Sequence, residues 1–179
     1  MIRKKKSNEM LSDSLIDLLE RFPFEKVTVN QIAENCGIAK RTFYNHFRDK
    51  YDLAVWTFIH QLETYYASDD SVTFRSMMYH SIEIVYKDQH MLRNIINYTG
   101  QNNFRQSILA PMVEIYCRLI ADKYGDPVTP ELKTVLFFYL GGQIAFAESA
   151  LISGDIPSVD ETYMVFSSCV PEHLRHYLV

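Results

Sequence analysis

The stretch VTVNQIAENCGIAKRTFYNHFRDKYDL, residues 27–53, decides the fold. Thr28-Val29-Asn30-Gln31 has the form of a capping box, in which the Thr28 hydroxyl and the Gln31 side chain exchange hydrogen bonds with opposite backbone N–H groups. Val27 and Ile32 hold the two staple positions around that cap, so a helix begins here. It is short. Ile32, Ala33 and Cys36 face inward, and Gly37 ends it, being the residue that enters a left-handed turn cheaply. Ile38 re-enters the core and a further helix follows to about His46, with Phe43 and Phe47 four apart and so on one face. Two short helices around a glycine turn predict a helix-turn-helix.

The second of these helices is divided by face. Phe43 and Phe47 point inward, leaving Lys40, Arg41, Tyr44 and Asn45 outside, each able to donate hydrogen bonds. No acidic residue interrupts that face before Asp49, so it can enter a DNA major groove without repelling phosphates. Lys and Arg at a helix start reach guanine O6 and N7, while phenol, imidazole and ammonium groups suit phosphate oxygens. A plain solvated helix would gain more from Glu or Ala than from Tyr and Asn at these positions.

Outward from this core the chain reads as helical throughout. Leu11, Leu15, Leu18, Leu19 and Phe22 make an apolar stripe on a first helix from about Ser7 to Phe22, stopped by Pro23. Asp49 is a candidate N-cap for a helix over about 51–66, lined by Leu53, Val55, Trp56, Ile59, Leu62 and Tyr66. After the polar patch 67–71, helices are expected at about 72–87, 90–98, 104–124, 130–153 and 159–177, with Pro111 and Pro171 as points of kinking or division. No strand pattern of useful length and no repeat is present. The expected fold is all-α: an N-terminal three-helix helix-turn-helix head over 1–50 and a larger helical body for effector binding and dimerisation over 51–179.

Charge follows the same division. The 179 residues carry a net −4. Residues 1–50 hold ten Lys/Arg against seven Asp/Glu, a net +3, and residues 51–179 hold eight against fifteen, a net −7. A basic head on an acidic body suits a modular nucleic-acid binder, since only the docking face must neutralise phosphates. The basic start Arg3–Lys6 is followed by polar residues, unlike a signal peptide. The longest uncharged helical stretch, Thr134–Ala147, is too short to span a bilayer. Cys36, Cys117 and Cys169, odd in number and widely spaced, read as reduced thiols of a cytoplasmic protein.

The quoted stretch resembles the N-terminal DNA-binding domain of the TetR family of bacterial transcription regulators. That pattern has a capped T-x-x-x-I-A helix, then G-[VI]-[SA]-x-x-T-[FLI]-Y-x-H-F, then x-[DN]-K-x-x-L. Thr28, Ile32, Ala33, Gly37, Thr42, Phe43, Tyr44, His46, Phe47, Lys50 and Leu53 keep it in register. Ala39 departs, standing where many members have a capping Ser, a loss of about 1 kcal/mol at most. The resemblance implies that Thr28, Tyr44, His46 and Lys50 touch phosphates and that Lys40 and Arg41 read bases. Thr42 suits either role, and Asn45 completes the expected DNA-binding set. It also implies a homodimer, most often a repressor, on a near-palindromic site of double-stranded DNA. The segment from Phe138–Gly142 through Ser153–Pro157 resembles a subgroup that includes the regulator of the dihydroxyacetone kinase operon, where a protein effector is the alternative to a small molecule.

In the body, Gly141, Gly142, Ala145, Ser149 and Ala150 form a small-residue stretch on a helix otherwise apolar nearly all round. With the apolar residues of the last helix it suits a dimer interface on the final two helices, as the resemblance implies. Tyr79, His80, Tyr86, Tyr98, Phe104, Tyr116 and Phe138 are candidates for an aromatic cavity. Cys169, His173 and His176, at i, i+4 and i+7 of one expected helix, are the only metal-like spacing, and fall short of a four-ligand site. No phosphate-cradling loop, nucleophile elbow or H-E-x-x-H motif occurs. No enzyme activity, cofactor, metal or membrane association is expected. A helical module whose basic head binds an acidic protein is the remaining alternative.

Overall fold

The computed structural model describes residues 6–97 and 104–178, and within them every regular element is a helix. The Arg3–Lys5 run, Tyr98, the 100–103 separator and the Phe104 side chain lie outside that description. Two compact units are present, Met1–Thr57 and Phe58–Val179.

The first unit contains α1 (Ser7–Leu19), a 3-10 turn (Phe24–Lys26), α2 (Val29–Asn35), α3 (Lys40–His46) and the start of α4 (Lys50–Tyr66). Helix α1 stops at Leu19, one turn earlier than its apolar spacing suggests. Phe22 is left exposed, and the ring that enters the core is Phe24, from the 3-10 turn after Pro23. The chain bends at Pro23 because proline cannot continue a helix, which swings the next aromatic inward. Leu11, Leu15, Leu18, Phe24, Val27, Ile32, Phe43, Phe47 and Leu53 close this core. Cys36 and Ile38 are only half-buried.

A polar lock joins α1 to α2. Buried Ser14 donates from Oγ to the Ile32 carbonyl at 2.7 Å and accepts from Asn35 Nδ2 at 3.1 Å. Asn35 also donates to Asp17 Oδ2 at 2.9 Å. A serine inside an apolar stripe gives no warning of this in sequence, because the partner carbonyl lies 18 residues away.

The second unit contains the remainder of α4, then α5 (Phe74–Lys87), α6 (Gln89–Asn97), α7 (Phe104–Tyr124), α8 (Pro130–Ser153), α9 (Val159–Ser168) and a 3-10 helix (Glu172–Leu178). Thr73, Thr129 and Ser158 each cap the helix they precede, accepting from the backbone N–H three residues on. Pro111 sits inside α7 without dividing it, whereas Pro171 follows the end of α9. Cys169 therefore lies beyond α9, and His173 and His176 belong to the 3-10 helix, so no single helix face carries the three. His176 instead meets Asp126 at 3.3 Å. Helix α8 also corrects the bilayer estimate. The helix continues through Glu148, and its 24 residues are long and apolar enough to cross a membrane by length and composition. Its inward residues Leu136, Tyr139, Leu140, Ile144 and Leu151 are buried in the unit's own core.

Replacing Ser14 with Ala leaves the Ile32 carbonyl without its side-chain donor and removes one of the two acceptors of the Asn35 amide. Loss of about 1–2 kcal/mol is expected, read as a lower urea midpoint at unchanged m-value.

Candidate nucleic-acid interface

The helix-turn-helix is assembled as its residues dictate. Thr28 Oγ1 accepts from Gln31 N–H at 3.2 Å, and Gln31 Oε1 accepts from Thr28 N–H at 2.8 Å, completing the capping box of α2. Gly37 has φ of 68°, the left-handed conformation that turns the chain toward α3. Helix α3 has no side-chain cap, since Ala39 precedes it. It is held by its inner face: Phe43 is fully buried, its ring centroid 5.8 Å from that of Phe47, which lies 5.8 Å from that of Trp56.

Its outer face is open. Lys40, Arg41, Tyr44, Asn45 and His46 are exposed, Thr42 is half-buried, and Thr28 is exposed at the start of α2. The Lys40 ammonium lies 5.9 Å from the Tyr44 ring centroid, so the two groups share one end of the face. No acidic residue stands in the first turn of α3. A short helix is thus held by two buried rings and presents five exposed donors. This is the geometry with which a recognition helix docks in a major groove.

Lys50 is placed differently from the expectation of a phosphate contact. Its ammonium donates to the carbonyls of Phe24 at 2.8 Å, Val27 at 2.9 Å and Glu25 at 3.3 Å, and sits 4.7 Å from the Phe24 ring centroid. All three N–H donors are engaged. Burial lowers its pKa, against a weaker opposing effect of the Glu25 carboxylate. Lys50 therefore clasps the turn that leads into the Thr28 cap. Spacing alone does not show this, because the acceptors are carbonyls whose direction depends on the 3-10 turn. Asp49 caps α4 as expected, accepting from the N–H groups of Tyr51 and Asp52 at 2.9 Å.

Fold and exposed donor face together define a helix-turn-helix head. Residues 13–55 match the model of the family described as bacterial regulatory proteins, tetR family. The head is a TetR-family DNA-binding domain, and the chain that carries it is a DNA-binding transcription regulator. Among solved structures, the dihydroxyacetone kinase operon activator DhaS is similar in fold, with a TM-score of 0.65 and 16% identity, over 95% of this chain and 97% of that one. No curated protein matches this sequence.

The aromatic residues considered for a cavity mostly serve elsewhere. Tyr116 is fully buried against Phe74, Tyr79 donates to Asp160 at 2.8 Å, His80 stacks on Tyr65, and Phe138 is exposed. Among the described members of that set, Tyr86 alone lines the body's cleft, which takes other rings from Phe58, Phe146 and Phe166.

The clasp makes a prediction that separates it from a phosphate contact. Lys50→Met should destabilise the protein by about 1–3 kcal/mol, since it strips partners from three carbonyls. The slope of log binding constant against log salt should stay that of the wild type, where loss of a phosphate contact would reduce it by about one unit.

Proposed function

We propose that the protein is a cytoplasmic homodimeric repressor that binds a near-palindromic operator through α3 and is controlled by an effector in its body. The observation that carries the DNA-binding part is the exposed, acid-free face of α3 held by Phe43 and Phe47. In this reading Lys40 and Arg41 meet base edges, Thr42 and Asn45 support them, and Thr28, Tyr44 and His46 meet phosphates. Lys50 acts through the turn that it clasps. No catalytic role is assigned to any residue.

The dimer is supported by apolar side chains that the body leaves outside. Phe137 and Phe138 on α8 are 51% and 75% exposed, Ile152 is 62%, and Met164 on α9 is 66%. Phe138, Gly142, Ala145, Ser149 and Ile152 follow one another at three- and four-residue steps, so they form one stripe along α8. Large apolar groups gathered on one face mark an association surface. A second copy fits best, because a two-fold operator is read by a two-fold protein and α8 and α9 offer helix faces that pack as a bundle. That partner also accounts for the apolar length of α8 without a membrane.

Selection from random duplex DNA at near-physiological salt should enrich one inverted repeat. Lys40→Ala and Arg41→Ala should each relax preference at particular positions, by about 1–3 kcal/mol where a bidentate contact is lost. Tyr44→Ala should weaken all sequences alike. Recovery of no consensus, with binding that disappears as salt rises, would instead favour a head that docks on an acidic protein. The dimer is tested by pairing Phe138→Asp with Met164→Glu: sedimentation should show a folded monomer, and a stable dimer would remove α8 and α9 from the interface.

A further inference from the structure

The body contains an open-mouthed cleft whose empty space, the solvent at its mouth included, is about 750 Å³. Its wall is contributed by α4, α5, α6, α7, α8 and α9, with Ile156 and Pro157 from the loop after α8. Most of that wall is aliphatic or aromatic. Glu148 is its one charged side chain, and Arg105 pairs with it, Nε to Oε2 at 2.9 Å. Among the described residues of the wall a ligand carrying a net charge would find no free counter-charge, and a buried uncompensated charge is strongly disfavoured.

The polar features of the wall are few. Ser81 and Thr162 are buried, and Ser81 Oγ already donates to the Met78 carbonyl at 2.7 Å. Gln143 is buried as well, and its Nε2 meets the Met78 thioether at 3.6 Å, a weak acceptor for a strong donor. Gln143 also hydrogen-bonds the Tyr139 hydroxyl, and a primary amide has two donors and two acceptor sites, so capacity remains toward the cleft. Behind it the polar groups are neutral. The Tyr139 hydroxyl donates to the Phe166 carbonyl at 2.7 Å, the Tyr116 hydroxyl is buried beside Ser81, and burial raises the pKa of both phenols.

We propose that this cleft binds an uncharged, mainly apolar small molecule with one hydroxyl or carbonyl group, which is seated on the Gln143 amide. This deepens the effector reading above and rests on it for any consequence at the DNA; the ligand chemistry rests on the cleft alone. Wall and polar anchor select together: the apolar lining provides affinity, the paired Glu148 rejects ions, and Gln143 orients the one polar end.

The full-length protein is tested with the neutral fluorophore N-phenyl-1-naphthylamine, displaced in turn by decanol, decanoate and decylammonium at neutral pH. Decanol should compete at least about tenfold better than either ion, the discrimination expected when a charge must enter without a partner. Ala147→Phe, which fills the cleft, should abolish fluorophore binding while the helical circular dichroism spectrum persists. Gln143→Leu should keep the fluorophore and weaken decanol about five- to tenfold, one hydrogen bond's worth. The proposal is overturned if decanoate or decylammonium matches decanol, if Ala147→Phe binds the fluorophore as wild type does, or if neither fluorophore nor decanol binds. Operator affinity is then measured with and without decanol. A change supports the effector reading; binding of decanol with no change overturns that reading and leaves the ligand class standing.

Discussion

A helix of seven residues cannot hold itself in water, and the head of this protein depends on keeping one in place. Nucleating a turn fixes several residues for a single hydrogen bond, so isolated helices of this length are marginal. Helix α3 also lacks a capping side chain, because Ala39 precedes it. Its stability comes from burying Phe43 and Phe47, which meet each other and Trp56. This division frees the other face. With core packing assigned to two positions one turn apart, the remaining residues can be chosen for donors rather than for helix propensity. The same logic sets the supports: the Thr28 box fixes the start of α2, Gly37 sets the turn, and Lys50 ties the preceding segment to the start of α4.

The helix-turn-helix is legible in sequence because its determinants are local. A capping box, a left-handed glycine and an i, i+4 pair of rings are each defined within five residues, and each occurs as its spacing requires. The reading fails where the partner is distant or the chain turns irregularly. Phe22 and Phe24 compete for one place in the core, and the outcome is set by the direction in which Pro23 and the 3-10 turn send the chain. Ser14 and Lys50 have the same character. A serine in an apolar stripe and a lysine at a helix start look solvated, yet both serve carbonyls that only the folded backbone brings within reach.

In the body the limit is of another kind. Helix α8 is apolar on nearly every side, so periodicity cannot assign its faces. Its structure shows two. Leu136, Tyr139, Leu140, Ala147, Ala150 and Leu151 share the inward side, the last three lining the cleft, and Phe137, Phe138 and Ile152 look outward. The rings follow the same rule. Tyr79, Tyr116 and Phe138 have equal claims to a cavity on paper, and are in turn tied to Asp160, enclosed in the core, and exposed. Packing that depends on three or more helices at once leaves no signature within any one of them.

An apolar cleft that the body's own side chains leave open is a physical statement about the body. Side chains that face empty space or poorly held water forgo dispersion contacts that a filled core would make, and so lower the stability of the fold around them. This chain has many large aromatic residues, and it leaves Phe137 and Phe138 outside while Ala147 and Ala150 stand at the cleft. Larger residues at those alanines would close the space. The body as built is therefore less stable than a filled one, by an amount that any occupant restores in part. Whatever binds the folded body and not the unfolded chain stabilises it in proportion to its affinity. If the cleft takes a ligand as proposed, Ala147 and Ala150 are the positions through which that ligand would act on the stability of the body.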